Sequence, residues 1–290
     1  MGAPRAARAQ ACCAGSSAVT PGRLVLHENA LAGFELRSAA LLGTYDSRSA
    51  YHAAAPGTGE ADFEEDVFAS ARVLERGQVS LLVPFVESWR TSRTTGAEFG
   101  GGVGDVNASA RYDFTWAREV SYLPGIALLL GLTVPSGRAP ESARLPLASD
   151  ATGVGAVQLN AGLALERVVD RWLFGLSGLV AKRLSRRVQG LESDLGTQFT
   201  LLGNAGYVFA DEASLALAVT FTAEGDASID RVEASGTARR LLRFALAGSL
   251  PLGDRLRLQA STYLDPPFSG AGENQPSTLG FTSTVIGSLF

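Results

Sequence analysis

Lysine is almost missing from this chain. Lys182 stands alone among many arginines, a composition typical of a GC-rich genome and silent on function. Histidine is limited to His27 and His52, and cysteine to the adjacent pair Cys12 and Cys13. Neighbouring cysteines rarely satisfy disulfide geometry, so no disulfide framework and no cysteine-based metal cluster is expected. No cofactor is implied. The formal net charge of −4 gives no basic footprint, and nucleic acid is not expected as a partner. No run of about 18 apolar residues occurs, which excludes a transmembrane helix. The greasiest stretch, 126–134, lies between Pro124-Gly125 and Pro135-Ser136-Gly137 and has the length of a strand.

What is present is an alternation. In 105–117, Val106, Ala108, Ala110, Tyr112, Phe114 and Trp116 fall on one face. Asn107, Ser109, Arg111, Asp113 and Thr115 fall on the other. A period of two with a fully apolar face is a strand half-immersed in an apolar medium. Twelve such segments follow one another: 34–45, 63–75, 78–90, 105–117, 124–134, 154–166, 171–183, 197–209, 213–223, 240–250, 255–264 and 278–290. Long connections (46–62, 91–104, 135–153, 184–196, 224–239, 265–277) alternate with tight ones at Arg76-Gly77, 118–123, 167–170, 210–212 and 251–254. Short periplasmic turns and longer extracellular loops are the habit of outer-membrane barrels. The pattern predicts an all-β protein: a transmembrane antiparallel up-and-down β-barrel of about 12 strands. A water-soluble β-sandwich is the competing fold, since short amphipathic strands suit both.

Charge placement sharpens the choice, because a charge facing lipid at the midplane costs about 2–4 kcal/mol. Apolar rows such as Leu159, Leu163 and Leu165, or Leu215, Leu217 and Val219, are clean. The opposite faces carry Glu35, Arg37, Arg111, Asp113, Gln158, Asn160, Arg243, Arg257 and Gln259. These nine are the candidate lumen lining and solute filter; packing a filled barrel is the competing role. The strand at 78–90 breaks the pattern, with Pro84 at its centre and Glu87 in the apolar row, pointing to a bulge at Pro84 or to Glu87 at the outer rim. Trp116, Trp172, Tyr207 and Phe209 lie near tight turns, where an aromatic girdle would sit. Phe290 supplies the terminal aromatic read by the barrel-assembly machinery, although Ser288 replaces a second aromatic. Residues 1–33 read as an export remnant, a periplasmic segment or a lumen plug, and 34–290 as the barrel. Ala9-Gln10-Ala11 looks like a cleavage site without its apolar run, and Cys12 or Cys13 is a candidate for lipidation.

Gly102-Val103-Gly104-Asp105-Val106 with Ala110-Arg111-Tyr112, and Gly131-Leu132-Thr133-Val134-Pro135-Ser136-Gly137, carry a resemblance. They resemble the outer-membrane barrels named for the meta-pathway of phenol degradation. The likeness covers mainly 100–140, with agreement of strand rhythm over 34–290; Ser136 stands where threonine is common. The resemblance implies a Gram-negative outer-membrane location and uptake of small, hydrophobic compounds, and supplies no catalytic residues.

Two chemical readings compete with a channel. Gly100-Gly101-Gly102-Val103-Gly104 lacks the Lys-Ser/Thr of a phosphate cradle and leads into a strand. His52 with Asp46 or Asp62 and Ser49 is a candidate hydrolase set without distinctive spacing. The expectation is a non-enzymatic, passive outer-membrane channel, partnered by membrane lipid and a small solute. The alternative is a filled barrel whose long outer loops bind a surface partner.

Overall fold

The computed structural model describes residues 23–24, 27–117, 119–120, 122–210 and 212–289. Twelve long strands form one closed antiparallel barrel. They are β1 (Ala30–Tyr45), β2 (Gly59–Leu74), β3 (Gly77–Ser92), β4 (Val106–Thr115), β5 (Gly125–Val134) and β6 (Gln158–Val169), then β7 (Trp172–Arg183), β8 (Gln198–Val208), β9 (Ser214–Glu224), β10 (Arg239–Pro251), β11 (Leu256–Leu264) and β12 (Pro276–Leu289). Each pairs with its neighbours in sequence, and β1 pairs with β12 from Ala30↔Leu289 to Thr44↔Pro276, closing the ring. Closure leaves no free edge, so every strand can meet its backbone hydrogen bonds without water. The turn at Asp170-Arg171 is of the minimal two-residue kind, with Asp170 in the left-handed region (φ 51°) that Asp tolerates.

The two faces of the wall differ as the alternation requires. Leu163 and Leu217 are 53% and 55% exposed, whereas their neighbours Ala164 and Ala218 are each 2% exposed. Phe34, Leu36, Val67, Leu81, Leu176, Leu246 and Val285 join the outer surface, each strongly exposed. A soluble sandwich would bury such rows between its sheets; here they cover the outside, as a barrel in lipid requires. No helix among the described residues is long and apolar enough to cross a membrane, which says nothing of strands.

All twelve expected strands exist, with instructive displacements. β1 begins at Ala30 and β2 at Gly59, each about four residues before its expected start. The sixth strand runs 158–169 where 154–166 was expected, because 154–157 continue the preceding loop. Pro84 makes no bulge: the β2–β3 register runs unbroken through Asp66↔Pro84. On its other side, β3 pairs with β4 only up to Leu82↔Asn107, then with a short strand, Gly96–Val103, from Phe85 onward. Proline lacks an N–H, so it occupies the gap where the partner changes. Glu87 therefore stays in the outward row between Phe85 and Trp89, towards the extracellular end. The glycine run expected as loop is largely this strand. Above the barrel, Arg186–Val188, Leu191–Asp194, Ala227–Ile229 and Val232–Ala234 form a separate four-stranded sheet. Phe290, Cys12, Cys13 and the expected leader lie outside the described residues.

Candidate functional site

Side chains on alternate positions of twelve tilted strands must share one interior. Polar rows line most of it, with apolar clusters of Ala127, Leu129 and Ala164 and of Leu173, Val208 and Ala216 packed within. The interior is layered. Near the periplasmic end, Arg111 on β4 bonds Asp113 Oδ1 at 2.8 Å and reaches across to Glu166 Oε1 on β6 at 2.9 Å. Arg23 pairs with the same Glu166 and lies 3.7 Å from Asp113 Oδ1. Its neighbour Leu24 is buried on Leu31, Phe68 and Ile286, and donates its N–H to Gln78 Oε1 at 3.0 Å. Residues 23–24 thus bridge the lumen from the β12–β1–β2 wall to the β4–β6 wall. Arg257 faces Glu28 at 3.7 Å in the same layer.

The middle layer centres on Arg37. Its guanidinium bonds Glu35 Oε1 at 2.9 Å and Glu64 Oε2 at 3.2 Å, and stands 3.5 Å from Asp66 Oδ2. Thr284 donates to the other oxygen of Glu35 at 2.8 Å. Asp66 is 1% exposed and neither of its carboxylate oxygens receives a hydrogen bond. Above it on the same face of β2, Asp62 accepts from Ser88 at 2.6 Å and Glu60 pairs with Arg90 at 3.0 Å.

At the extracellular end, Arg243 makes a two-pronged contact with Asp265 at 2.7 and 3.0 Å and lies 4.1 Å above the Tyr263 ring. Arg183 gathers Gln158, Gln198 and Glu224, the last at 2.8 Å. Gln158 donates to Asn160 Oδ1 at 2.9 Å.

All nine expected lumen residues sit on the inward-facing rows, but they do not form one ring. Arg111, Asp113 and Arg257 belong to the periplasmic layer, Glu35 and Arg37 to the middle, and Arg243 to the extracellular end; Gln259 faces inward and is partly exposed. Sequence reading missed their partners: Glu28, Glu64, Asp66, Glu166, Arg183 and Asp265. One signal was legible, since Glu60, Asp62, Glu64 and Asp66 recur at every second position. Of the expected girdle, Trp172, Tyr207 and Phe209 form a contiguous outward cluster with ring centroids 5.2 Å apart at each step. Trp116 lies at the next turn with the Arg76 guanidinium 4.5 Å over its ring.

The hydrolase set does not assemble around Ser49. His52 Nε2 lies 3.2 Å from Asp46 Oδ2, Ser49 Oγ accepts instead from Arg240 at 2.7 Å, and Asp62 is held by Ser88 inside the barrel. The described residues contain no group of three or more His, Cys, Asp or Glu placed to hold a metal.

The two motifs that carry the family resemblance meet in one corner at the outer ends of β4 and β5. Ser136 Oγ donates to the Gly104 carbonyl at 2.8 Å and accepts from Val106 N–H at 2.9 Å. Asp105 accepts from Gly137 N–H at 2.9 Å and Val154 N–H at 2.7 Å. A methyl group on Gly153 would lie 2.2 Å from Asp105 Oδ1, so the carboxylate keeps its place on these donors only because that position has no side chain.

No protein-family model matches the sequence, and no curated protein matches it. Solved structures do match. An outer membrane channel from Pseudomonas putida F1 superposes with a TM-score of 0.75 at 13% identity, covering 92% of this chain and 97% of that one. The β domain of the Bordetella autotransporter BrkA gives 0.53 at 12% identity, covering 90% and 100%. At such identities the likeness is one of fold, and the fold is that of an outer-membrane β-barrel.

Proposed function

We propose that this chain is a passive channel in the outer membrane of a Gram-negative cell, conducting small solutes through a charged lumen. The observation that carries the reading is the inequality of the interior wall. β12 to β4 crowd the lumen with Glu35, Arg37, Glu64, Asp66 and Arg111, whereas β7 to β9 bury Leu173, Leu202 and Val208 on the inward side and, towards the outer half, turn inward Ser177, Thr200, Thr220 and Thr222. Ser177, Thr200, Thr220 and Thr222 keep partial solvent exposure although they point inward. A filled barrel would spend large side chains there. Small ones leave room for water along one side.

Membrane lipid is then the partner of the exterior, and the assembly machinery would read the terminal Phe290. Uptake of small hydrophobic compounds, in the manner of the meta-pathway barrels, rests on the two interlocking motifs at Asp105 and Ser136. Liposome swelling tests the channel: vesicles bearing the protein should swell in isotonic small sugar faster than empty ones. Equal rates would refute it. That result would favour the filled barrel with a binding surface, whose own support is the outer four-stranded sheet with Leu191, Ile229 and Val232 exposed.

A further inference from the structure

The inward charges of this barrel nearly all cancel in place, with one exception. Arg243 meets Asp265, Arg183 meets Glu224, Arg111 and Arg23 meet Asp113 and Glu166, and Arg257 meets Glu28. On the β1–β3 wall, four carboxylates that reach donors or solvent (Glu35, Glu60, Asp62 and Glu64) face two guanidiniums, Arg37 and Arg90. The wall therefore carries an excess of two negative charges. Arg72, at the periplasmic rim, donates to the carbonyls of Glu28 and Glu75 and lies below this patch.

We propose that this acidic wall makes the lumen a cation path, selecting solutes that carry an ammonium or guanidinium group; the inference rests on the channel reading above. Two independent features support it besides the count. Arg37 is divided between Glu35 at 2.9 Å and Glu64 at 3.2 Å, while Asp66, sealed at 1% exposure with no donor to either oxygen, is too poorly solvated to carry charge and adds nothing to the excess. One guanidinium cannot cancel both Glu35 and Glu64. Glu64 has a side chain 30% exposed, the accessible head of the patch.

The facing wall, β7 to β9, presents hydroxyl-bearing residues in its outer half and buried Leu173, Leu202 and Val208 below them, with its charges confined to the Arg183–Glu224 pair at the mouth. A cation crossing the middle layer meets carboxylates on one side and no competing charge on the other. Low-dielectric walls focus such a field. Residues 23–24 cross the lumen beneath Asp66, beside Phe68, so the ion path narrows where the patch ends.

The test is the reversal potential of the full-length protein in planar bilayers under a potassium chloride gradient. At about 0.1 M salt the Debye length is about 10 Å, long enough for the patch to act across the lumen. The expected sign is that of potassium selectivity. Removing one unit charge roughly 7 Å from the ion's path, screened over a Debye length of about 10 Å, changes the occupancy of potassium and chloride in opposite senses by about 1.6-fold each, so Glu64→Gln should lower the potassium-to-chloride permeability ratio about threefold. Asp62→Asn should do the same if Glu64→Gln fails to fold, and Arg37→Gln should raise the ratio. A reversal potential at zero or of the chloride sign, in a protein that conducts, overturns the inference and leaves the channel standing. Should the protein not conduct, calorimetric titration with spermidine decides. Saturable binding weakened in Glu64→Gln keeps the acidic wall as a cation site and refutes the channel, and absence of binding overturns the inference.

Discussion

Replacing Asp105 by alanine should be among the most damaging single changes outside the lumen. Its carboxylate accepts two backbone N–H groups, Gly137 at 2.9 Å and Val154 at 2.7 Å, from opposite ends of the long loop after β5. A hydrogen bond to a charged group is worth about 1.5–3 kcal/mol. The Val154 donor is exposed enough for water to replace part of the loss, so Asp105→Ala should cost about 3 kcal/mol, near the lower bound for two such bonds.

Gly153→Ala attacks the same corner from the other side, since the new methyl would fall 2.2 Å from Asp105 Oδ1 and push the carboxylate off its donors. The two changes must then be non-additive: Gly153→Ala should cost clearly less in the Asp105→Ala background than alone. Urea unfolding in detergent, followed by tryptophan fluorescence, gives all four stabilities of the cycle. The reasoning fails if Asp105→Ala lies within about 0.5 kcal/mol of wild type, the range of an ordinary surface change, or if the two costs simply add.

Glu166→Ala leaves the buried Arg111 and its neighbour Arg23 to share Asp113; a loss of about 3 kcal/mol in the same unfolding assay is expected, at the low end for a broken buried pair. Leu163→Arg, placing a charge near mid-height on the outer face, should cost about 2–4 kcal/mol; a neutral outcome would mean that position does not meet lipid. The outer loops should loosen in acid. Burial pushes the Asp150 carboxyl up, but the N–H groups of Arg144 and Leu145 and the Arg138 guanidinium outweigh it and hold the carboxyl below 3.8. The N–H groups of Ala238 and Thr237 hold Asp226 down likewise. A carboxylate with a lowered folded value stabilises fully above its unfolded value and loses that contribution as pH falls through the folded one. Pepsin cleavage within 138–150 and 226–238 should therefore rise below about pH 4 while the barrel stays intact; unchanged cleavage down to about pH 2 would contradict it.

The alternation of β4 was legible because its two faces differ at every residue, and the lipid-facing rows of β6, β8, β9 and β10 read as cleanly. Pairing was not legible. Glu166 meets Arg111 across 55 positions of sequence, and their juxtaposition depends on the register of β4, β5 and β6 together. The sixth strand was misplaced because Val157 extends its apolar row and the strand was read back to Val154, whereas Asp105 pins Val154 into the preceding loop. Whether Pro84 made a bulge or Glu87 sat at the rim was not decided by sequence, which shows the missing donor and not the change of neighbour that makes it harmless. The acidic ladder of β2 was split by an expected boundary at Asp62, so its continuity with Glu60 went unread.

The central claim is that lipid bathes one set of side chains and water the other. Spin labels on single cysteines, introduced along β6 and β9 after Cys12→Ser and Cys13→Ser, measure it position by position in bilayers. Labels at 163 and 217 should collide with molecular oxygen dissolved in lipid, and labels at 220 and 222, on the partly exposed inward row of β9, with a water-soluble nickel chelate. Equal shielding of all four positions from both reagents would mean that those leucines pack inside a protein core, and the barrel in lipid would be wrong.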